Sequence, residues 1–378
     1  MTLTPEELRT LFPTARAAIH LNHAGCSPVA DPVADAVRAA LDLLQSPDPT
    51  AAYFAAMADA NTLRAAFGRM MCASLDALAL VKNTSQALSL FAQGIPFRAG
   101  ENVVVAANEY PSNVYPWLAQ EARGVQTKLV PPRADGYVDE GDLEAACDAH
   151  TRVLAVSWVQ WGTGQRMDLA RLAAFCQSRN LLLAVDAVQG LGALRLDLSA
   201  LPGVAFAAAG GHKWLLAPGG VGVMYLRPDL LDTLLPTNVG WNWVANPMAW
   251  DTPQWNAPKP TAARYEEGTP SVLGIAALLA SVTLLESVGF DAVETRVLAA
   301  AAHLRQRLGE RGMHVVSPHG ARARTGIVAF RHPDRSNDAV LAQLTAAGVN
   351  AAVRCGNVRF APHAYTSAAD VERAIGAI

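Results

Sequence analysis

Lys213 stands at a position where a lysine can carry out carbonyl chemistry. It follows the apolar run from Val204 to Ala209, which predicts a buried strand, and it precedes the Gly-rich stretch from Ala217 to Gly222. Burial disfavours the charged form of an amine and lowers its pKa, which makes the amine a nucleophile for aldehydes and ketones. The alternative is an ordinary solvated lysine at the end of a strand.

A carboxylate ends the preceding predicted strand. Asp186 follows the apolar run from Leu181 to Val185, and the carboxyl ends of parallel strands form the edge where open α/β sheets bind ligands. Pyridoxal phosphate (PLP) requires a lysine for an imine and a carboxylate beside its pyridinium nitrogen. Lys213 and Asp186 fit those two requirements, although Asp186 alone could also be a helix N-cap or a turn residue.

Two further motifs suit the same cofactor. Thr84 and Ser85 place hydroxyls and backbone N–H groups at the start of a predicted helix, where a phosphate can bind. A plain Ser/Thr N-cap would have the same sequence. Tyr110 follows another predicted strand end, where its ring could stack on a flat cofactor or pack against the protein.

The elements that must position these residues predict an α/β fold. Short apolar runs alternate with amphipathic stretches, as in a largely parallel sheet with helices on both faces. The predicted strands are Asn102–Ala107, Arg152–Trp158, Leu181–Asp186, Val204–Ala209 and Val221–Leu226. The predicted helices are Ser85–Gln93, Asn113–Arg123, Asp139–Ala149, Asp168–Arg179, Ser271–Val288 and Asp291–Arg311. An irregular segment is predicted from Pro236 to Pro260, and a second, smaller α+β domain is predicted from about Pro270 to the end.

The composition excludes several classes of protein. Of the 378 residues, 51% are hydrophobic and the formal net charge is -3, which supports a large core and provides no basic stripe for nucleic acid. The five scattered cysteines form no zinc motif and suit a reducing compartment. The N-terminus has no apolar signal core, and the alanine-rich stretches are too short to cross a bilayer. We expect a soluble cytoplasmic protein without a nucleic-acid, membrane or metal partner.

Taken in order along the chain, the motifs resemble the class V aminotransferase family of fold-type I PLP enzymes. That family includes cysteine desulfurases, kynureninases and isopenicillin N epimerase-like proteins, and the resemblance runs from about Leu21 to the C-terminus. It implies a large domain with a mostly parallel seven-stranded sheet flanked by helices, and a smaller α+β C-terminal domain. The implied division is an N-terminal segment over the active site (1–30), a PLP-binding domain (31–269) and a small domain (270–378).

The resemblance also implies a role for each motif residue. Lys213 would form the Schiff base with PLP, and Asp186 would hold the ring nitrogen. Tyr110 and Val188 would pack on the ring, and Gln189 would reach the phenolic oxygen. The residues implied to lie at the phosphate are Thr84, Ser85, Ser157, His212 and, from the neighbouring subunit of a homodimer, Trp241 and Thr269.

The implied substrate is an α-amino acid whose α-proton Lys213 moves. Arg354 and Arg359 resemble arginines that bind the substrate carboxylate, since a guanidinium matches a carboxylate with two hydrogen bonds. Either arginine could instead form an interface ion pair. The reaction stays open between transamination and β-elimination or C–S cleavage, with an isopenicillin N epimerase-like racemisation as an alternative. The alternative from another class is a non-catalytic binding protein that keeps the fold.

The sequence departs from the cysteine desulfurase pattern at the positions that carry the sulfur chemistry of those enzymes. Desulfurases carry a nucleophilic cysteine on a loop before the last arginine motif, whereas residues 330–337 contain none. Cys355 directly follows Arg354, and we expect it to be a buried, inert thiol. Gly210 stands where desulfurases often have a serine. These differences argue against persulfide chemistry on an enzyme cysteine.

Other features resemble kynureninases. Tyr110 and the run from Ser157 to Gln165 match that group, although Gln189 stands where kynureninases tend to have histidine. His23 lies in a segment that resembles the N-terminal stretch over the active site. It could donate a proton there, but we expect a structural histidine.

Overall fold

The computed structural model describes residues 3–252 and 255–378. Met1 and Thr2 of the predicted N-terminal segment lie outside the described residues, as do Pro253 and Gln254 of the predicted irregular segment. The strands are, in chain order, β1 Ile19–His20, β2 Leu78–Val81, β3 Asn102–Ala106, β4 Gln126–Val130, β5 Thr151–Ser157, β6 Leu182–Asp186, β7 Val204–Gly210, β8 Gly222–Leu226, β9 His314–Val315, β10 Val328–Arg331, β11 Val349–Asn350, β12 Ala352–Arg354 and β13 Asn357–Phe360. The helices are α1 Pro5–Thr10, α2 Thr14–Ala17, α3 Asp31–Leu44, α4 Thr50–Met71, α5 Thr84–Gly94, α6 Tyr115–Leu118, α7 Glu140–Ala146, α8 Leu169–Arg179, α9 Val272–Val288, α10 Phe290–Glu310, α11 Asn337–Ala346 and α12 Ala368–Gly376.

The sheet that carries the candidate chemistry has seven strands within the described residues, in the order β2-β8-β7-β6-β5-β3-β4. β3 pairs in parallel with β4 and β5, and β6 pairs in parallel with β5 and β7. β8 runs antiparallel to both of its neighbours, β7 and β2. Nearly every residue of the central strands is buried, as expected for apolar strands covered on both faces. The predicted mostly parallel seven-stranded sheet is confirmed.

A second, smaller sheet forms the C-terminal part of the fold. Its strands lie in the order β12-β13-β10-β9, with antiparallel pairing throughout. α10, α11 and α12 cover it, and Phe330 and Phe360 lie in the shared core. The N-terminal segment joins this part of the molecule, because β1 pairs with β11.

Helix α9 connects the two parts. Leu278, Val282 and Leu285 of α9 belong to the core of the large sheet, and the helix packs on α3 and α4. The predicted domain division at residue 270 therefore stays a prediction. Among the described residues, no single helix combines the length and hydropathy that a membrane crossing requires, whereas α9 and α10, bent by 81° at their junction, pass that test as a pair by length and composition alone.

The predicted elements match the structure closely where burial is complete. The five predicted strands of the large sheet are observed within one residue at each end. The predicted helix from Asn113 to Arg123 is wrong as a single helix. It is divided into short turns on either side of α6. Pro116 has no N–H group to donate to the carbonyl of residue 112, so a continuous helix cannot form from Asn113 through α6.

Candidate active site

The predicted cofactor and substrate residues surround one cavity of about 260 Å³ beside the ends of β3, β6 and β7. Its lining includes most of the side chains predicted from the sequence, namely Thr84, Ser85, Tyr110, Asp186, Val188, Gln189, His212, Lys213, Arg354 and Arg359. The lining also includes Trp161, which the sequence did not predict. These residues come from distant parts of the chain and are brought together by the parallel strand order.

Lys213 faces this cavity with an amine that is easily deprotonated. The pKa of Lys213 is lowered to about 8, mainly by desolvation. The positive charges of Arg359 and Arg354 also lower it, whereas the Asp186 carboxylate raises it. The Nζ atom lies 5.5 Å from the centroid of the Tyr110 ring. Near neutral pH a useful fraction of this amine is therefore neutral and nucleophilic.

The backbone around Lys213 is fixed by the N-terminal segment. Ser27 donates its backbone N–H to the carbonyl of His212 at 2.9 Å and its hydroxyl to the carbonyl of Lys213 at 2.5 Å. Ala24 and Gly25 of the same segment line the cavity. The segment thus lies over the lysine and limits its exposure to solvent.

Asp186 ends β6 as a buried carboxylate, 2% exposed. Its Oδ1 accepts the backbone N–H of Val188 at 2.9 Å, and within the described residues its other oxygen accepts no hydrogen bond. Burial raises the pKa of Asp186, while the Val188 hydrogen bond and the Lys213 charge lower it. A buried carboxylate with an unused oxygen suits a cationic ligand atom.

Helix α5 begins at the edge of the cavity. The Asn83 side chain caps it by accepting the N–H of Gln86 at 2.8 Å. Thr84 Oγ1 accepts the N–H of Gly210 at 2.9 Å, which ties the helix to the end of β7. The Ser85 hydroxyl lies 2.7 Å from the hydroxyl of Ser112. The result is a helix N-terminus lined by hydroxyls, which is a favourable anion site.

Local contacts explain why position 210 is a glycine and position 189 is a glutamine. A Cβ added to Gly210 would lie 3.2 Å from the His212 Nδ1 atom, so a side chain there would crowd the imidazole. Gln189 donates Nε2 to the Ala24 carbonyl at 3.0 Å and accepts the indole N–H of Trp214 at 2.9 Å. One amide hydrogen of Gln189 remains for a ligand.

Arg359 is a buried cation, 1% exposed, on β13. Its Nη1 donates to the Trp161 carbonyl at 2.6 Å, and its Nη2 donates to Asn22 Oδ1 at 3.2 Å. The pKa of Arg359 is lowered to about 10, mainly by burial and also by the charge of Arg354. Both partners are neutral, and no carboxylate of the described residues pairs with this guanidinium, so a bound anion would be its natural partner.

Arg354 differs from Arg359 in its environment. It lies exposed on β12 and donates to the carbonyl of Val353 at 2.8 Å. Cys355 follows at the turn between β12 and β13 with φ of 50°, and it is exposed. The prediction of a buried thiol is wrong, because the tight turn directs this residue outward.

Three predicted residues lie away from the cavity. Ser157 donates its backbone N–H to Glu109 Oε1 at 2.5 Å and its hydroxyl to Glu109 Oε2, so the hydroxyl does not face the lining. Trp241 and Thr269 line a separate cavity of about 740 Å³ beside α4 and β2. The predicted contacts of these three residues stay predictions.

His23 is held by both ring nitrogens. Nδ1 donates to the carbonyl of Ala361 at 2.9 Å, and Nε2 lies 2.8 Å from the hydroxyl of Tyr365, from which the neutral ring accepts. Burial lowers the pKa of His23 well below its usual range, and the nearby His363 and His20 lower it further. This arrangement agrees with the expected structural histidine.

Comparison with known proteins places the chain in one family. A model of the family described as aminotransferase class-V matches residues 19–371. The chain belongs to the class V aminotransferase family. Class V aminotransferases use PLP, so the predicted cofactor and the assignment as a transferase or lyase are confirmed. The matches described below give no support to the epimerase and non-catalytic alternatives.

Two relatives within the family illustrate its range. The chain is 30% identical over 292 residues to a probable cysteine desulfurase of Methanothermobacter thermautotrophicus, which covers 76% of this chain and 72% of the relative. It is 28% identical over 374 residues to YcbU of Bacillus subtilis, named as an uncharacterized aminotransferase, which covers 99% of this chain and 97% of the relative.

Solved structures confirm the fold. The complex between the cystine C–S lyase C-DES and its reaction product cysteine persulfide matches with a TM-score of 0.88 and 22% identity, over 97% of this chain and 98% of that chain. The apo cysteine desulfurase from Thermococcus onnurineus NA1 matches with a TM-score of 0.86 and 22% identity, over 100% and 97%.

The residues of this class V enzyme fit PLP. The cavity offers an amine of lowered pKa at Lys213, hydroxyls at the start of α5, and an Asp186 carboxylate oxygen to which none of the described residues donates. These are the chemical groups that an aldehyde, a pyridinium nitrogen and a phosphate require.

Proposed function

We propose that this enzyme is a PLP-dependent C–S lyase that acts on a sulfur-bearing α-amino acid such as cysteine or cystine. One observation carries the proposal: Lys213, a base of lowered pKa, and Arg359, a buried cation, line the same cavity of about 260 Å³, and no acidic side chain in the described part of the chain pairs with Arg359. A base and a carboxylate receptor in one small cavity are what removal of an α-proton from an amino acid needs.

We infer the following placement of the cofactor. Lys213 attaches to its aldehyde, Asp186 holds its ring nitrogen, Tyr110 and Val188 flank its ring, and Gln189 reaches its phenolic oxygen. The residues inferred to lie at the phosphate in this subunit are Thr84, Ser85 and His212. When bound, PLP supplies an aldehyde that bonds to amines and a ring that accepts electrons from the substrate α-carbon.

The chain's own groups then control the proton and the substrate. With PLP bound, Lys213 would be the base that takes the substrate α-proton, and its pKa of about 8 suits a base near neutral pH. Arg359 binds the substrate carboxylate and so fixes which bond of the α-carbon faces the base. Asp186 supplies the negative charge that opposes the cationic ring nitrogen.

A named relative and the connection between β10 and α11 favour cleavage of a C–S bond in which the sulfur product is released and is not transferred to an enzyme cysteine. The relative at 30% identity is named a probable cysteine desulfurase. The connection from β10 to α11, residues 332–336, contains no cysteine and contributes no residue to the cavity lining. Elimination breaks the C–S bond and consumes water. Cysteine then gives pyruvate, ammonia and hydrogen sulfide, whereas cystine gives pyruvate, ammonia and cysteine persulfide.

A second candidate reaction is transamination, which the relative named as an aminotransferase supports over 99% of this chain. Incubation of the PLP-loaded enzyme with cystine, cysteine or alanine separates the two reactions. The lyase proposal predicts pyruvate and reduced sulfur in equal amounts without any added keto acid. Product formation that depends strictly on an added keto acid would instead show transamination.

The cofactor placement has its own test. PLP added to the wild-type protein should give an absorption band at roughly 400–430 nm, and Lys213→Ala should abolish it. Lys259 provides a matched control, because desolvation also lowers its pKa although it lies outside this cavity. We expect Lys259→Ala to keep the band. A band that persists in Lys213→Ala would refute the placement.

We also propose a homodimer in which Trp241 and Thr269 complete the neighbouring subunit's phosphate site. In support, both residues line the cavity of about 740 Å³. The segment that contains Trp241 also exposes two further tryptophans: the exposed fractions are 36% for Trp241, 68% for Trp250 and 58% for Trp255. Exposed large apolar side chains commonly mark an interface.

The compartment and the kynureninase-like features are further proposals. Cys26 and Cys355 are exposed free thiols, which suit a reducing cytoplasm. We attribute the kynureninase-like run from Ser157 to Gln165 to a turn that brings Trp161 to the cavity, where its ring meets Tyr110 edge-on at 5.4 Å.

A further inference from the structure

Glu109 is a buried carboxylate, 7% exposed, that the proposed function does not use. It directly precedes Tyr110, and both of its oxygens accept hydrogen bonds from Ser157. Oε1 accepts the backbone N–H at 2.5 Å, and Oε2 accepts the hydroxyl. These bonds fasten the Tyr110 loop to the end of β5.

The next strand carries Asp186. Ser157 and Asp186 are paired in the β5–β6 ladder, and the N–H of Trp158 donates to the Asp186 carbonyl at 2.9 Å. Glu109 and Asp186 are therefore two buried acids that flank the end of one strand. An acid buried beside a second acid is stable when hydrogen bonds or a cation compensate for its charge.

Groups from three elements act on the ionisation of Glu109. The pKa of Glu109 is raised to about 7, mainly by burial and also by the Asp186 charge on β6. The hydrogen bonds from Ser157 on β5 lower it, as does the Asn113 side chain from the turn after Tyr110. Glu109 thus gains or loses its charge close to neutral pH.

We propose that Glu109 is a positioning residue of the cofactor site, which fixes the Tyr110 loop and adds a second, titratable negative charge beside Asp186. This rests on the proposed placement of PLP in the cavity. A cationic ring nitrogen held by Asp186 is stabilised further when Glu109 is ionised, because opposite charges attract strongly where water is excluded.

The charge of Glu109 couples the binding of PLP to pH. Below the pKa of about 7, Glu109 is protonated and Asp186 acts alone, whereas above it both acids attract the ring nitrogen. PLP affinity therefore gains a contribution that appears as pH rises through that value. By linkage, PLP binding lowers the pKa of Glu109 and releases a proton.

Glu109→Gln isolates this contribution. Glutamine resembles the protonated acid and keeps an acceptor for the Ser157 N–H. The measurement is the PLP dissociation constant of the apo-protein, by equilibrium dialysis, with wild type and variant compared at each pH. The ionisation of PLP and of Lys213 changes with pH in both proteins alike. The ratio of the two dissociation constants therefore measures the effect of the Glu109 charge. We expect equal affinities near pH 5.5 and about tenfold weaker binding by the variant near pH 8.5.

Ser157→Ala is the second variant. It keeps the carboxylate and removes a hydrogen bond that lowers the Glu109 pKa, so the pH midpoint of PLP affinity should move upward. A phosphate contact by Ser157 would instead weaken PLP binding equally at every pH, and that result would count against our proposal.

A ratio for Glu109→Gln that does not change with pH would overturn the role of Glu109. If Glu109→Gln does not fold, Ser157→Ala decides the question alone, and an unchanged midpoint overturns the proposal. The Lys213-dependent band of the wild-type protein is measured separately, so failure of the PLP placement is distinguished from failure of the Glu109 proposal.

Discussion

The guanidinium of Arg359 donates a 2.6 Å hydrogen bond to the backbone carbonyl of Trp161, whose indole meets the Tyr110 ring edge-on at 5.4 Å. Trp161 thereby connects Arg359, the proposed substrate-binding cation, to the Tyr110 ring beside Lys213. Its second protein partner, Asn22, is also neutral. The positive charge of Arg359 is thus positioned by the protein and left for an anion to neutralise.

Arg359→Lys should lower kcat/KM by about 10- to 100-fold, mainly through KM, because lysine keeps the charge and loses the two-pronged geometry. The PLP band should remain. Arg354→Lys is the matched control, since Arg354 is exposed at the rim of the same cavity, and it should change kcat/KM by less than about threefold. Steady-state kinetics check both variants, and the reverse order of effects would assign the carboxylate to Arg354.

The lowered pKa of Lys213 predicts how PLP capture depends on pH. The neutral amine is the reacting form, so the rate of PLP uptake by the apo-protein should rise with pH and level off above about 8. Asp186→Asn removes the carboxylate that stabilises the charged amine, and the levelling point should then fall to lower pH. Stopped-flow absorbance measures this rate. A levelling point that rises in Asp186→Asn would contradict the electrostatic account.

The proposed lyase needs no enzyme thiol. Cys26 and Cys355 lie near the cavity but do not line it. Although Cys355 is an exposed residue, partial desolvation of its thiol raises its pKa and keeps the thiol protonated at neutral pH. Cys26→Ala and Cys355→Ala should each release cysteine persulfide from cystine within about twofold of the wild-type rate. A loss of about tenfold or more in either variant would show that the sulfur passes through that cysteine.

The elements and site residues that could be predicted are those marked by a pattern of neighbouring residues in the sequence. β6 is apolar throughout because both of its faces are buried, and Asp186 at its end marks a ligand edge. β4 was missed because it is an edge strand, and its largely exposed residues form no apolar run. β2 was missed as well, since its four residues follow directly on a helical stretch.

Other site features depend on tertiary contacts that no local pattern encodes. Glu109 is buried by the fold, and its charge is compensated by Ser157 of a distant strand, which donates to both of its oxygens. The same contact explains why the Ser157 hydroxyl does not face the cavity. The exposure of Cys355 depends on a left-handed turn residue between β12 and β13.

Gly192 has the clearest steric requirement near the site. Its φ is +95°, and a Cβ there would lie 2.4 Å from the carbonyl oxygen of Trp214, whose indole holds Gln189. Gly192→Ala should lower the free energy of unfolding by about 3 kcal/mol through backbone strain and overlap. Gly219→Ala is the control, since no described heavy atom lies within 4 Å of its Cβ. Urea unfolding measures both, and equal midpoints for the two variants would contradict the argument.

The proposed homodimer predicts complementation between two defective subunits. Thr269 is exposed in the single chain, so Thr269→Asp should fold, but its carboxylate would repel the phosphate of the neighbouring subunit's site. Thr269→Ser keeps the hydroxyl and serves as the control. Lys213→Ala and Thr269→Asp should each be nearly inactive alone.

A mixed dimer of these two variants contains one site with both defects and one intact site, provided that Thr269 acts across the interface. Random reassortment of subunits makes about half of the dimers mixed, so about one quarter of wild-type activity should return. If Thr269 acted within its own subunit, every site would keep one defect and no activity would return. Because both outcomes use the same two proteins, the comparison separates a shared site from a self-contained one without depending on the substrate.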